Sequence, residues 1–361
     1  MKLAVIGCGY WGPNLIRNLY QLSDDYQLSC CDADDKKLRR MERLFPGIQT
    51  TTNAKDVLKD PQVTAVLLAT PVHTHHTLGE AALEHNKHLF VEKPLANSVE
   101  NSLKLINLAR SKKRVLMVGH TFEYTAAVNK IKEIIGSGHL GEILYVSSTR
   151  VNLGLFQPDI NVVWDLAPHD VSIINYVLGE APVAVNSQGK AHYKKGIEDV
   201  ATVSLNYENG IIAFIHVSWL DPNKIRKTTF VGSRKMLVYD DVQVQEKIKI
   251  YDKGVEAPPY YDTYAEFQFS YRYGDIHIPR LEEYEPLRFE LAHFVDCINH
   301  GTTPRSDGYS GLRVVSVLEA AQKSIKSGGK YVPVSQREPL LQSIRSTKTG
   351  TNGAGPLKPD F

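Results

Sequence analysis

The stretch KLAVIGCGYWGPNLI, residues 2–16, decides the fold of this 361-residue chain. An apolar run leads into Gly7, Gly9 and Gly12, spaced Gly-x-Gly-x-x-Gly, and a helical pattern follows them. Asp32 ends the next strand-like run, 20 residues beyond Gly12. The glycine spacing alone is weak evidence, but strand, helix and acidic residue together form the fingerprint of a dinucleotide-binding βαβ unit.

Each part of the fingerprint has a physical function. The glycines allow a tight turn close to a pyrophosphate, and the helix that follows offers free amide groups to the phosphates. Asp32 can accept hydrogen bonds from the adenosine ribose and would repel a 2′-phosphate, which favours NAD. Lys36, Lys37 and Arg39 lie just beyond it and leave NADP open. The alternative is a glycine turn that binds no ligand.

Strand-like and helical patterns alternate through the first third of the chain. Because the strand-like runs are almost wholly apolar, both faces of their sheet are expected to be covered. We therefore predict an α/β fold that begins with a Rossmann domain, a doubly wound parallel sheet, over residues 1–121. The runs cover 2–7, 26–32, 63–70, 87–93 and 114–120, with helices near 11–22, 35–45, 74–85 and 98–111.

The sequence pattern changes after residue 121, where long runs alternate between apolar and polar residues. Asn209-Gly210 lies between two such runs and predicts a hairpin. We predict an α+β domain over 122–335 with a large, mostly antiparallel, open-faced sheet, and a flexible polar tail over 338–361. Its strands are expected at 142–152, 183–193, 199–207, 211–219, 227–232 and 236–240, and its helices near 124–136, 167–178, 285–299 and 310–327.

Composition excludes several classes of partner. A formal net charge of +2 gives no electrostatic reason to expect nucleic acid or a membrane surface. No apolar run approaches the ~20 residues of a membrane span, and the opening run breaks too early for a signal peptide. The four cysteines, Cys8, Cys30, Cys31 and Cys297, lack zinc-type spacing. We expect no metal, and we expect a reducing, cytoplasmic setting.

Two further motifs follow strands of the first domain. VEKPLA, residues 91–96, places Lys93 at the carboxyl end of a strand, where open α/β sheets bind ligands; taken alone, it also fits a surface lysine in a loop. ATPVHTHHTL, residues 69–78, holds three histidines but lacks the neighbouring ligands that a metal site needs. We interpret these histidines as loop residues, one of them near the cofactor.

VWDLAPHDVSII, residues 163–174, places Asp165 and His169 on either side of Pro168. Proline is tolerated in the first turn of a helix, so this helix is expected to begin near 165–167 with Asp165 at or beside the N-cap. The positive dipole end there favours a neutral His169, as a general base requires, while the nearby carboxylate opposes this effect. The alternative is a helix cap beside a core histidine.

These four motifs, in this order and spacing, resemble the glucose–fructose oxidoreductase / inositol dehydrogenase family (Gfo/Idh/MocA) over roughly residues 1–335. The resemblance implies that Lys93, Asp165 and His169 flank the nicotinamide as catalytic residues. It implies NAD as the cofactor, with NADP not excluded. The implied cofactor-binding residues are Gly7, Gly9, Tyr10, Trp11, Gly12, Asp32, Thr70, Pro71, His75, Glu92 and Lys93.

The predicted function is hydride transfer between nicotinamide and a secondary alcohol of a sugar or cyclitol. His169 takes the hydroxyl proton, Lys93 stabilises charge on the oxygen, and Asp165 orients His169 or binds a neighbouring hydroxyl. Residues 150–170 resemble the branch of the family that acts at C3 of nucleotide-activated hexoses such as UDP-N-acetylglucosamine-type sugars. Substrate contacts are then expected from Tyr124, Arg150 and Asn152.

Two alternatives stay open. One is an inositol or free-sugar dehydrogenase, and the other is a non-catalytic NAD-binding or assembly protein. In either case, the alternating run IIAFIHVSWL, residues 211–220, predicts an apolar sheet face that must be covered. We therefore expect a homodimer or homotetramer.

Overall fold

Two β-sheets organise the chain in a computed structural model that describes residues 1–22, 26–154, 156–157, 159–256 and 270–334. The predicted tail at 338–361 and the end of the predicted second domain at 335 lie outside these residues. The α/β class, with a parallel sheet followed by a mostly antiparallel one, is confirmed. The domain boundaries themselves stay predictions.

The first sheet is parallel and six-stranded, in the order β3-β2-β1-β4-β5-β6. Its order reverses between β1 and β4, and such a switch point opens a crevice at the carboxyl ends of the strands. β3 was not among the predicted strands, because it is short and polar and lies at the edge of the sheet. The strands are β1 (Lys2–Ile6), β2 (Gln27–Cys31), β3 (Gln49–Thr51), β4 (Val63–Leu68), β5 (His88–Glu92) and β6 (Leu116–Gly119).

Helices cover both faces of the first sheet, because alternate strand residues such as Leu3 and Ala4 enter two separate apolar cores. Ser98 caps one of these helices by accepting a hydrogen bond from the Asn101 amide over 3.1 Å. Sequence analysis did not predict α3, which is short. The helices are α1 (Gly12–Leu22), α2 (Asp35–Leu44), α3 (Ala54–Lys59), α4 (Val72–Glu84) and α5 (Val99–Ser111).

The second sheet has nine strands in the order β14-β13-β12-β11-β7-β10-β9-β8-β15. Its pairs are antiparallel except for β7 with β10. Gly210, at a φ of 88°, closes the predicted hairpin between β9 and β10. The strands are β7 (Ile143–Leu153), β8 (Ala184–Lys190), β9 (Val200–Asn206), β10 (Ile212–Ser218), β11 (Leu220–Gly232), β12 (Met236–Asp240), β13 (Ile248–Glu256), β14 (Ser270–His277) and β15 (Val332–Pro333).

Among the described residues, four more helices follow: α6 (Ala126–Gly136), α7 (Val162–Leu178), α8 (Pro286–His300) and α9 (Gly308–Lys326). A 3-10 turn at Thr121–Tyr124 links β6 to α6. The inner face of the second sheet packs on α7, while its opposite, outer face leaves side chains such as Phe214 exposed. The last two helices return to the first sheet, where α8 packs on α1 and α9 packs on α5 and β6.

The start of α7 differs from the prediction. The helix begins at Val162, and the side chain of Asn161, not Asp165, caps it by accepting the Trp164 amide over 3.1 Å. Burial of Val162 and Val163 in the second core favours this earlier start. Pro168 therefore lies inside the helix, where it removes a backbone hydrogen bond.

Candidate active site

The carboxyl ends of β1, β4 and β5 meet at one edge of the first sheet, since Ile6 pairs with Leu68 and Leu68 with Val91. The glycine loop lies at this edge. A Cβ on Gly7 would collide with the Ala69 carbonyl, and Gly7 has a φ of 101°. Gly9, by contrast, has no heavy atom within 4 Å of an added Cβ. The loop is thus closely packed on one side and open where a pyrophosphate approaches, so it fits a dinucleotide.

The Asp32 carboxylate already accepts several hydrogen bonds. Its Oδ2 accepts the Cys8 amide at 2.7 Å, its Oδ1 accepts the Asp34 amide at 2.9 Å, and Lys37 Nζ lies 3.3 Å from both oxygens. Burial raises the pKa of Asp32, but these bonds outweigh it and hold the pKa below its usual value. Asp32 is therefore anionic at neutral pH and able to accept ribose hydroxyls.

Lys93 follows β5 at the same edge and extends toward α7. Its Nζ donates a hydrogen bond to the backbone carbonyl of Asp165 at 2.9 Å and lies 3.7 Å from Asp165 Oδ1. The other carboxylate oxygen, Oδ2, accepts the indole Nε1–H of Trp219 at 3.0 Å. Asp165 thus holds Lys93 and not His169, which corrects the expectation that it orients the imidazole.

His169 lies one turn beyond Asp165 on α7, partly buried, with its ring 5.2 Å from the Phe122 ring in an edge-on arrangement. Burial lowers the pKa of His169 well below its usual value, and Lys93, Arg150 and Arg226 lower it further. The imidazole is neutral, as the sequence suggested. The cause is different, because α7 begins too far upstream for its dipole end to dominate.

Two of the three predicted substrate contacts have structural roles instead. The Tyr124 hydroxyl is buried and lies 3.1 Å from Ser306 Oγ. Arg150 is buried in a bidentate ion pair with Asp170, at 2.7 Å and 3.2 Å. These partners correct the expectation that both side chains reach a substrate. Asn152 is partly exposed on β7, and its role stays a prediction.

His75 is only 1% exposed and does not face the crevice. Its Nδ1 lies 2.9 Å from the Pro94 carbonyl, and its Nε2 lies 2.8 Å from the Thr70 carbonyl. The structure therefore corrects its predicted cofactor contact. His75 instead joins the loop after β4 to the loop that carries Lys93.

The other predicted cofactor residues differ in exposure. Tyr10 is 86% exposed, whereas Trp11 is partly buried beside it, and their rings are stacked 6.5 Å apart. Thr70 is partly exposed at the end of the β4 loop, and Pro71 is exposed at the start of α4. The Glu92 carboxyl is buried, and burial raises its pKa to about 8.

Three residues around His169 and Asp165 could not be predicted from the sequence patterns: Phe122, Trp219 and Arg226. Trp219 lies in the alternating run 211–220, whose pattern marks it only as an apolar residue. Arg226 precedes a predicted strand that in fact begins at Leu220. Strand register, which no single-sequence pattern supplies, is what brings these side chains to the site.

Both parts of the chain match models of one family. Residues 1–120 match the Gfo/Idh/MocA oxidoreductase family, NAD-binding Rossmann fold, and residues 128–238 match the Gfo/Idh/MocA C-terminal domain. The chain belongs to the Gfo/Idh/MocA family. Membership confirms the predicted family, the NAD cofactor and the assignment as an oxidoreductase.

Individual members of the family are similar along most of the chain. Myo-inositol 2-dehydrogenase of Thermotoga maritima is 24% identical, and the match covers 90% of this chain and 96% of that protein. UDP-N-acetylglucosamine 3-dehydrogenase GnnA of Acidithiobacillus ferrooxidans has a TM-score of 0.76 at 22% identity, covering 91% and 98%. The WlbA dehydrogenase of Bordetella pertussis, in complex with NADH and UDP-GlcNAcA, has a TM-score of 0.76 at 18% identity, covering 93% and 98%. At these identities the structural matches show the fold alone.

Within the described residues, no group of three or more His, Cys, Asp and Glu side chains is arranged to hold a metal ion. Within those ranges, too, no helix is both long enough and apolar enough to cross a membrane.

Proposed function

We propose that this Gfo/Idh/MocA enzyme transfers a hydride between NAD and a secondary alcohol of a sugar, with C3 of a nucleotide-activated hexose as the preferred position. One observation carries the proposal. Lys93, Asp165 and His169, from distant parts of the chain, lie together beside the crevice that the glycine loop opens. Three such groups match the requirements of alcohol oxidation.

NAD, held by the glycine loop and Asp32, would supply the acceptor for the hydride of the carbinol carbon. His169, held neutral, accepts the proton of the hydroxyl that becomes a carbonyl. Lys93 donates a hydrogen bond to that oxygen and stabilises its developing negative charge, while the Asp165 carbonyl and carboxylate fix the ammonium group. General base catalysis of this kind contributes roughly 10²–10⁴-fold to a rate.

The substrate class rests on the relatives. Two structural neighbours act on or bind UDP-sugars by name, which supports a nucleotide-activated hexose. An inositol or free-sugar dehydrogenase is the second candidate, because a relative covering 90% of the chain is a myo-inositol dehydrogenase. A non-catalytic NAD-binding protein is the third, and the intact Lys93, Asp165 and His169 argue against it.

The test is NADH formation with UDP-N-acetylglucosamine, its uronate and myo-inositol, for the wild-type protein and for His169→Ala. We expect the UDP-sugars to react fastest, and we expect the variant to lose at least about 100-fold in kcat while its NAD affinity stays the same. If myo-inositol reacts faster than the UDP-sugars, the proposed substrate class is wrong. Unchanged turnover in the variant overturns the catalytic role.

We also propose self-association as a homodimer or homotetramer through the outer face of the second sheet. Tyr145, Ile212 and Phe214 are 42%, 39% and 46% exposed there on the neighbouring strands β7 and β10. Burying such a patch against a second copy removes apolar surface from water.

The four cysteines are free thiols, which supports a reducing, cytoplasmic location.

A further inference from the structure

Arg226 lies on the inner face of the second sheet beside the candidate active site. It pairs with Arg150 across β11 and β7, and directly opposed residues of an antiparallel pair present their side chains on the same face. Arg150 Cζ lies 4.9 Å above the Phe122 ring, and that ring contacts His169. The two arginine side chains therefore leave neighbouring strands on the same face of the sheet, beside the proposed reaction site.

The two arginines differ in how well their charge is compensated. Arg150 is 3% exposed, and Asp170 binds it in bidentate fashion. Arg226 is 33% exposed, and in the described part of the chain its nearest carboxylate oxygen, Asp241 Oδ2, lies 3.5 Å away. A distance of 3.5 Å is at the outer end of the range for a hydrogen bond.

Asp241 is also shared with other donors. Its Oδ1 accepts the Tyr239 hydroxyl at 3.0 Å and lies 3.5 Å from Lys247 Nζ. One carboxylate thus faces two cations, Lys247 and Arg226, so the net charge of these three side chains is positive. A positive guanidinium that is accessible and loosely paired favours an anionic ligand.

The electrostatic influence of Arg226 extends to His169. Arg226 is one of three cationic side chains that lower the pKa of His169, with Lys93 and Arg150. Lys93 and Arg150 each have a close carbonyl or carboxylate partner. Arg226 is the most exposed of the three, at 33% against 20% for Lys93 and 3% for Arg150, and its carboxylate partner among the described residues lies 3.5 Å away.

We propose that Arg226 binds an oxyanion of the substrate, so that the sugar that reaches His169 carries a phosphate or a carboxylate group. This inference rests on the proposed function and narrows it to anionic sugars. A guanidinium matches the two oxygens of either group with two parallel hydrogen bonds. The oxyanion can be the diphosphate of a nucleotide sugar or the carboxylate of a hexuronate, and neutral polyols have no group for this contact.

The experiment compares Arg226→Met with Arg226→Lys and with the matched control Lys227→Gln. Lys227 is the next residue, points to the outer face, and has a carboxylate partner, Asp240, 3.7 Å away. Binding of UDP and of glucuronate to the NADH-loaded protein is measured by calorimetry, together with kcat/KM for UDP-N-acetylglucosamine and myo-inositol. Circular dichroism verifies the fold of each variant.

We expect Arg226→Met to weaken binding of the preferred oxyanion by about 10- to 100-fold, as loss of a charge-assisted contact predicts. Arg226→Lys should restore part of the affinity for the oxyanion, and Lys227→Gln should leave that affinity unchanged. Weaker UDP binding identifies the phosphate as the ligand, and weaker glucuronate binding identifies the carboxylate. Unchanged binding of both anions by Arg226→Met overturns the proposal, as does an equal loss for myo-inositol.

The two levels of proposal fail in different ways. If the wild type oxidises none of the sugars, the proposed function fails, whereas the binding measurements still decide the role of Arg226. If the wild type oxidises a UDP-sugar best and Arg226→Met leaves anion binding unchanged, the proposed function stands and only the role of Arg226 fails.

Discussion

The indole of Trp219 donates a hydrogen bond to the carboxylate of Asp165 over 3.0 Å. This contact joins the second sheet to the helix that carries His169. Asp165 in turn holds Lys93, so the position of the proposed catalytic ammonium depends on a residue 126 positions later in the sequence than Lys93.

Trp219→Phe should keep the ring packing and lose this hydrogen bond. A hydrogen bond to a charged group is worth about 1.5–3 kcal/mol, so we expect kcat to fall about tenfold with NAD affinity unchanged. Steady-state kinetics and a cofactor titration test this. Trp164→Phe is the control, since the Trp164 indole makes no hydrogen bond to the described residues. Equal losses in both variants would contradict the assignment.

The depressed pKa of His169 predicts a pH dependence of stability. Below about pH 6.5 an unfolded histidine binds a proton, whereas the folded His169 stays neutral, so stability falls as the pH drops through this range. His169→Gln should lose less of its thermal stability between pH 7 and pH 5 than the wild type. Melting curves at several pH values measure this. His216→Gln, on the outer sheet face, should follow the wild type.

The raised pKa of Glu92 predicts the opposite pH dependence of stability. Its pKa is raised to about 8, so the folded protein keeps this carboxyl protonated at pH values where the unfolded chain has lost the proton. Stability from this group is complete below about pH 4.5 and falls as the pH rises toward 8. Glu92→Gln should therefore flatten the decline in melting temperature between pH 5 and pH 8. Glu133→Gln, an exposed surface change on α6, should leave the decline intact.

Asp32 should determine the choice of cofactor. Asp32→Ser removes the charge that would repel a 2′-phosphate and frees Lys37, 3.3 Å away, to bind it. We expect the ratio of NADP to NAD affinity to rise about tenfold or more, as for a new contact between charged groups. Fluorescence titration with both reduced cofactors tests this. Asp35→Ser is the control, because that carboxylate pairs with Arg39. A ratio unchanged in Asp32→Ser would refute the role.

Phe214→Glu should disrupt self-association through the outer sheet face. The charge would lie beside Ile212 in the middle of the exposed patch, and burying it against a second copy is unfavourable. Analytical ultracentrifugation should show a smaller species. Val244→Glu is the control, as Val244 is 87% exposed and follows β12. A wild type that is already monomeric would disprove the assembly.

The residues whose position could be predicted from sequence are those placed by local structure. The glycine loop, Asp32 and Lys93 depend on strand ends and turns, and short patterns reveal these. Tyr124 and Arg150 could not be assigned, because their partners Ser306 and Asp170 are 182 and 20 residues away. Such contacts depend on how elements pack, which a single sequence does not specify.

The start of α7 also depends on packing that a local sequence pattern does not reveal. Pro168 predicts the first turn of α7, since proline is tolerated there. Packing of Val162 and Val163 in the second core, together with the Asn161 cap, outweighed this preference. The position of Arg226 likewise follows from the register of β11 against β7.

The return of α8 and α9 to the first sheet has a consequence for synthesis. Phe294 packs on Phe90 with ring centroids 5.7 Å apart, and a Cβ on Gly311 would lie 2.7 Å from Val118. When the nascent chain has been synthesised only as far as β14, α8 and α9 are still missing. Part of each face of the Rossmann sheet is therefore exposed to solvent. Cooperative folding must wait for translation of residues 286–326, and until then those bare surfaces are available to chaperones.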